Sequence, residues 1–290
     1  MKIKKAIILA GGTGTRLKPI TSIINKHLLN IYDKPLIYYP ISTVLLAGIR
    51  QILIIASKDQ INFFKMLLGN GQLFGMNISY EIQNEPNGLP EAFIIGEKFI
   101  GNDPICLNLG DHILFGQGLP DLLETTFSNF KKNTIFSLES LNTKDYGVVE
   151  LNKKRKPIKI IEKPKRTKSK NIITGIYAFS NEVISISKKL KKSSRSELEI
   201  SDLMSHFLKK NELDVSFLGR GIAWFDAGSS DRILEASNFI QLIQKNQGNL
   251  VGCLEEIALN KKFISLSTYM KSIDLHKNSQ YGEYLKSIIR

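Results

Sequence analysis

The chain alternates short apolar runs with segments whose apolar residues return every three or four positions. Lys5–Ala10 (KAIILA) and Gln51–Ser57 (QILIIAS) are apolar at consecutive positions, as in strands covered on both faces. Between them, Pro35–Ile49 opens on proline and closes on Gly48, the start and stop signals of a helix. Ile61, Phe64, Leu67 and Leu68 recur at helical spacing before Gly69. Asn77–Gln83 reads as a third strand, Pro90–Ile100 as a helix and Pro104–Asp111 as a fourth strand, and Leu119–Phe130 with Asn133–Ser140 continues the alternation. Such an order predicts an α/β protein with a parallel sheet wrapped by helices, and ligands then collect at the carboxyl ends of the strands.

From about Tyr146 the pattern changes. Gly147–Pro164 reads as an antiparallel hairpin with a basic turn before Pro157, and Ile173–Ser180 as a further strand. Glu197–Asn211 is an amphipathic helix and Asp214–Gly219 a strand. The lone Trp224 leads through an Asp-Ala-Gly turn into a long helix capped by Ser229 or Ser230. The last 40 residues read as helical, and no repeat or interdomain linker divides the chain.

Composition places the chain among soluble globular proteins, at 42% apolar and 23% charged residues. No apolar run nears the roughly 20 residues that span a bilayer. The apolar part of MKIKKAIILAGG is too short for a signal peptide and no A-x-A-like site follows, so a cytoplasmic protein is expected. Cys106 and Cys253 lie among apolar residues and read as small buried hydrophobes. His27, His112, His206 and His276 show no metal-site spacing, so no zinc is expected. The net charge of +13 is concentrated in Lys153–Lys170, where ten Lys/Arg accompany one acid, Glu162. This run reads as a solvated hairpin tip and flanking loop. Aromatic interleaving is absent, which argues against nucleic acid and leaves attraction of small anions as the functional reading.

The stretch from Leu9 to Asn30, LAGGTGTRLKPITSIINKHLLN, follows the first strand. A P-loop would need Lys directly after its last glycine, and a dinucleotide fingerprint would need glycine at position 17, which is Leu17. The stretch is neither. Its glycines still let backbone N–H groups approach an anion, while Arg16 offers a planar fork of donors and Lys26 a point charge.

These residues belong to a longer series. LAGGTGTRLKPIT, DKPLIYYPISTVLLAGI, GLPEAFIIGEKFIG, LNLGDHILFG, DYGVVE, EKP, TGIYAF, RSELEISDL and GRGIAWFDAGSSDRILEASNFI occur in that order over almost the whole chain. Together they resemble the glucose-1-phosphate thymidylyltransferase family of sugar-nucleotide pyrophosphorylases. The resemblance implies a Rossmann-like nucleotidyltransferase fold with a mixed, mainly parallel central sheet flanked by helices, an antiparallel hairpin subregion and a helical C-terminal appendage. It implies one domain, residues 1–290, with a nucleotide-binding half (about 1–145), a sugar-phosphate-binding half (146–228) and a helical segment (229–290).

The activity implied is Mg²⁺-dependent transfer from dTTP to α-D-glucose 1-phosphate, giving dTDP-glucose and pyrophosphate. This is the first step of dTDP-L-rhamnose and related dTDP-sugar synthesis for surface polysaccharides. By resemblance, Leu9, Gly11, Gly12, Thr13, Gly14 and Thr15 wrap the triphosphate, with Arg16 and Lys26 at the end that leaves. Gln83 and Gly88 read the pyrimidine, and Asp111 and Asp226 hold Mg²⁺. Lys163 bridges the two reacting phosphates. Glu162, Tyr146, Gly147 and Thr174 surround the sugar, and Arg195 takes its phosphate. The implied assembly is a homotetramer, with an allosteric nucleotide-sugar site for end-product feedback, no nucleic-acid partner and no membrane.

Three positions depart from the family pattern: His112 where GDN is usual, and His27 and Asn30 where KQLLP is usual. They bear on the choice of nucleotide and sugar. The alternatives are the same chemistry with UTP or another hexose 1-phosphate, or a catalytically silent regulatory homologue.

Overall fold

The computed structural model describes residues 1–12 and 14–289. The sheet starts with β1 (Lys5–Leu9), and a short ribbon of β2 (Asn30–Ile31) and β3 (Lys34–Pro35) leads into α1 (Tyr38–Leu46). Then come β4 (Gln51–Ala56), α2 (Ile61–Leu68), β5 (Asn77–Ile82), α3 (Glu91–Ile95), α4 (Glu97–Ile100) and β6 (Ile105–Leu109). β1 sits between β4 and β6 with Ile7 opposite Leu53 and Leu107, and β5 extends β4, all in parallel.

The second half adds β7 (His112–Phe115), α5 (Leu119–Ser128), β8 (Asn133–Glu139), the hairpin β9 (Val148–Leu151) and β10 (Pro157–Ile161), and β11 (Asn171–Phe179). After α6 (Glu182–Ser187), α7 (Ile200–Lys209), β12 (Leu213–Phe217) and β13 (Ala223–Asp226), the chain ends in helices α8 (Ser230–Gln247), α9 (Leu254–Asn260), α10 (Leu266–Leu275) and α11 (Gln280–Ile288). β11 runs antiparallel between β6 and β8, and β12 pairs parallel with β8, so the sheet is mixed. The α/β class, the hairpin and the helical appendage agree with the sequence reading.

The doubly apolar strands have a direct physical outcome. Ala6 and Ile8 enter one core with residues of α1, α2, α5 and α9, whereas Ile7 and Leu9 enter another with α3, α6 and α7. Side chains alternate across a strand, so a sheet covered on both faces must be apolar at every position.

Four local readings change. α1 begins at Tyr38 because Pro35 pairs with Asn30 in the ribbon. Pro90–Ile100 forms two short helices broken at Gly96, where an added Cβ would meet Ile7 Cδ1 at 2.8 Å. β8 runs in the same direction as β6, but β11 is inserted antiparallel between them and interrupts the parallel order. The tip of the basic run is docked as well as solvated, with the Arg155 guanidinium 4.0 Å from the Phe217 ring centre and Lys156 Nζ 3.0 Å from Asp214 Oδ1. Cys106 and Cys253 are buried and unbridged. Among the described residues, no helix is long and apolar enough to cross a membrane.

Candidate active site

The carboxyl end of β6, the hairpin, the stretch before α7 and the end of β13 surround a cavity of 240 Å³, lined by Arg16, Asp111, Tyr146, Lys163, Arg195 and Asp226 among others. The glycine loop reaches it through Arg16. Gly12 and Gly14 have φ of 97° and 57°, in the left-handed region where glycine carries no steric cost. Gly14 O accepts a hydrogen bond from the Thr21 hydroxyl at 2.7 Å, which fixes the turn. Thr15–Leu17 make one 3₁₀ turn that buries Leu17 and leaves Arg16 exposed. The expected residue Thr13 lies outside the described residues. Gln83 is buried against Gly11, so closely that a Cβ at Gly11 would overlap its amide, and Gln83 Nε2 donates to Glu91 Oε2 at 2.7 Å.

Asp111 follows β6. Lys26 forms an ion pair with its Oδ2, and His112 Nε2 lies 3.5 Å from its Oδ1. Burial by itself would raise the Asp111 carboxyl, but Lys26, then His112 and His27, outweigh it and hold the group well below the usual carboxylate range. Asp226 ends β13, and antiparallel pairing of β13 with β7 sets it opposite His112. Ala227 N–H also donates to Asp111 O at 2.9 Å. Sheet pairing therefore brings together two carboxylates separated by 226 − 111 = 115 positions in sequence.

Arg232 Nη1 donates to Asp226 Oδ2 at 2.7 Å, while Asp226 Oδ1 is buried and accepts no hydrogen bond from the described residues. A buried carboxylate oxygen without a partner costs free energy unless something binds it. Two carboxylates beside a glycine loop suit a hard divalent cation, which takes its other ligands from phosphate or water. The residues present fit Mg²⁺.

The opposite wall comes from the hairpin and the segment before α7. Lys163 has φ of 40°, uncommon for a side-chain-bearing residue, and its N–H donates to Tyr146 O at 3.2 Å. Gly147 stands where a Cβ would lie 3.5 Å from Glu162 Oε2. Glu162 is shifted upward, mainly by burial, against the pull of Lys163 and Arg195. Arg195 Nε donates to Glu199 Oε1 at 3.0 Å and Arg195 Nη2 to Glu162 Oε1 at 3.3 Å, so the guanidinium is held in place by two carboxylates. Gly88, with φ of 105°, makes a parallel bridge to Leu198, and a Cβ there would lie 2.7 Å from Leu198 N. This contact ties the Gln83–Gly88 wall to the Arg195–Glu199 wall.

Some expected residues sit elsewhere than the cavity. Thr174 is fully buried and its hydroxyl donates to Phe136 O at 3.1 Å, away from the opening. Its carbonyl instead accepts from His112 Nδ1 at 2.6 Å and Trp224 Nε1 at 3.2 Å. His27 is a buried ring under Gly110, with Nδ1 2.6 Å from Asn25 Oδ1. Burial first, and the Lys26 charge second, push its imidazole down to about 3, so it is neutral near pH 7. Asn30 is in the β2–β3 ribbon and does not line the cavity. Of the three departures from the family pattern, His112 is the one at the cavity, edge-on to Trp224 with ring centres 5.2 Å apart.

Sequence reasoning did not single out Glu91, Asp145, Glu199 or Arg232. Glu91 and Glu199 act by orienting Gln83 and Arg195. The four-residue spacing of Arg195 and Glu199 was a usable signal, as was an arginine in the first turn of a helix, where a cation opposes the helix dipole.

Comparisons with known proteins agree with this geometry. Residues 5–242 match the model of the family described as nucleotidyl transferase. A glucose-1-phosphate thymidylyltransferase of Neisseria meningitidis is 45% identical over 286 residues, 99% of each chain. One from Mycolicibacterium smegmatis is 45% identical over 98% of this chain and 99% of the relative. The structure of a UDP-glucose pyrophosphorylase complexed with UDP-glucose superposes with a TM-score of 0.75 at 25% identity, covering 83% of this chain and 99% of the other. From its glycine loop to the first turns of α8, the chain belongs to the nucleotidyl transferase family.

Proposed function

We propose that the protein is a glucose-1-phosphate thymidylyltransferase, joining dTTP and α-D-glucose 1-phosphate into dTDP-glucose with release of pyrophosphate. The observation that carries this reading is the convergence of Asp111, Asp226, Arg16, Lys26, Lys163 and Arg195 on the space between a glycine loop and a hairpin. Two polyanions must approach within bonding distance there, and the cations offset their mutual repulsion.

An oxygen of the sugar phosphate attacks the α-phosphorus of dTTP, and the bond to the β-phosphate oxygen breaks in line. The protein acts by positioning and charge stabilisation, with little covalent work of its own. The Leu9–Thr15 loop presents backbone N–H groups to the triphosphate. Arg16 and Lys26 hold the departing pyrophosphate. Lys163 lies between the two reacting phosphates, and Arg195 orients the sugar phosphate while Glu162 accepts from sugar hydroxyls. Gln83, its Nε2 already committed to Glu91, presents its remaining amide groups to the thymine beside Gly88. Asp111 and Asp226 would hold Mg²⁺, which supplies charge neutralisation at the phosphates. Thr174 supports the sugar wall through its carbonyl contacts with His112 and Trp224.

The reading includes a homotetramer in the cytoplasm, serving dTDP-L-rhamnose or a related dTDP-sugar. It assigns end-product feedback to a second cavity of 380 Å³, lined by Leu46, Phe115, Val251, Gly252 and Glu256 among others. UTP is the competing nucleotide, favoured by the likeness to a UDP-glucose pyrophosphorylase. The purified protein should release pyrophosphate from dTTP and glucose 1-phosphate with a higher kcat/KM than from UTP. A preference for UTP would replace the thymidylyl reading, and absence of turnover with every nucleotide and sugar-phosphate pair would favour a silent regulatory homologue.

A further inference from the structure

We propose that Arg232 is a positioning residue that latches the Asp145–Gly147 loop, and through it Lys163, to the Asp226 end of the site. The inference rests on the reading of the cavity as a nucleotidyl-transfer site.

Ser229 caps α8 and accepts a hydrogen bond from Arg232 N–H, which places Arg232 in the first turn. A cation there opposes the positive end of the helix dipole, so the helix gains nothing from it. What holds the guanidinium is a pair of carboxylates on two other segments. Nη1 donates to Asp226 Oδ2 at 2.7 Å and Nη2 to Asp145 Oδ2 at 2.6 Å. The same group lies 5.4 Å from the centre of the Tyr146 ring, which also packs edge-on to Trp224 with ring centres 4.9 Å apart. One planar fork thus spans two chain segments with two bonds, a task a lysine ammonium cannot copy.

The next link is the backbone. Tyr146 O accepts from Lys163 N–H, and Gly147 O accepts from Ile173 N–H at 2.8 Å. Lys163 is in an uncommon positive-φ conformation, which persists only where its surroundings over-determine it. The loop that Arg232 holds is therefore the loop that holds Lys163. Arg232 bonds Asp226 Oδ2, and Oδ1 of the same carboxylate is buried without a hydrogen-bond partner among the described residues.

Trp224 is the chain's single tryptophan, so its emission reports on the Tyr146 contact without turnover. In Arg232→Ala, and in Asp145→Asn, which leaves α8 untouched, emission should shift to the red and acrylamide quenching should rise. In Asp145→Asn, KM for glucose 1-phosphate should rise about tenfold while KM for dTTP stays within about twofold, since Asp226 keeps its bond to Arg232. Arg232→Lys should fall between wild type and Arg232→Ala in both measurements. Unchanged emission in Asp145→Asn, or equal rises in both KM values, would overturn the latch. If Arg232→Ala does not fold, Asp145→Asn decides. If the wild-type protein turns over no nucleotide and sugar-phosphate pair, the functional reading fails, and the emission experiment still decides the latch separately.

Discussion

Gly175 is the position where a single added carbon should disturb the site most cleanly. Its φ is 75°, and a Cβ would overlap the His112 ring and lie 2.9 Å from Leu109 Cδ1. In Gly175→Ala, left-handed backbone strain costs roughly 1–2 kcal/mol. Displacing His112 breaks its bond to Thr174 O, a loss of about 0.5–1.5 kcal/mol because that carbonyl keeps the Trp224 Nε1 donor. Loss of the edge contact with Trp224 adds about 0.5–1.5 kcal/mol. The sum is about 2–5 kcal/mol. Unfolding entropy of about 2.1 cal/mol/K per residue gives roughly 0.6 kcal/mol/K for 290 residues, so Tm should fall by about 3–8 °C. Gly118→Ala is the control, because Gly118 has φ of 76° and nothing within 4 Å of its Cβ position. It pays the strain alone, about 2–3 °C. Differential scanning calorimetry of the two variants reads the difference. Because His112 Nε2 lies 3.5 Å from Asp111 Oδ1, kcat of Gly175→Ala should also fall, by up to about 100-fold if the carboxylate moves by an ångström. Equal Tm shifts in the two variants, with wild-type kcat in Gly175→Ala, would refute this account, in which the His112 ring helps to fix the Asp111 carboxylate.

Other outcomes follow from the same geometry. Arg16→Ala should lower kcat by roughly 10²–10³, the scale of one lost preorganised donor, and near-normal turnover would remove Arg16 from the mechanism. Asp226→Asn should raise the half-saturating Mg²⁺ concentration by about tenfold or more with an unchanged far-UV spectrum; an unchanged metal requirement would mean that Asp226 is not a ligand. Glu255 is buried in the helical appendage beside Tyr281, and burial, the largest influence, raises its carboxyl above the ordinary value. The folded state then binds more protons than the unfolded state, so the stability from this group is full below the ordinary carboxylate pKa and is lost as pH rises through the raised one. Glu255→Gln should therefore gain on the wild type in urea unfolding as pH rises above the ordinary carboxylate pKa, and a gap that does not widen with pH would show that the carboxyl is not raised.

Three of the cations around the cavity rest on carboxylates. Lys26 rests on Asp111, Arg195 on Glu199 and Glu162, and Arg232 on Asp226 and Asp145. Arg16 and Lys163 form no ion pair among the described residues and are exposed. These two are the charges most available to an incoming polyanion. A cation arriving at Asp111 would compete with Lys26 for the same carboxylate.

The sequence alone determined what depends on period and turn chemistry. Consecutive apolar residues in Lys5–Leu9 and Gln51–Ala56 required a sheet covered on both faces, and the two cores supply that cover. The glycine loop, the hairpin around the basic turn and the Ser229 cap were legible because each is set by a few adjacent residues. Tertiary structure decided the rest. Asp111 and Asp226 become neighbours only because β7 and β13 pair antiparallel, and strand pairing between distant segments leaves no local spacing to read. The Gly88–Leu198 bridge and the Arg232 latch join walls from separate segments in the same way. Thr174 falls where the register of β11 with β8 shifts, between Ile173 and Tyr177, and there its hydroxyl bonds Phe136 O while its carbonyl faces His112. Periodicity tells which residues are covered, whereas which segments meet is settled by topology and close packing over the whole chain.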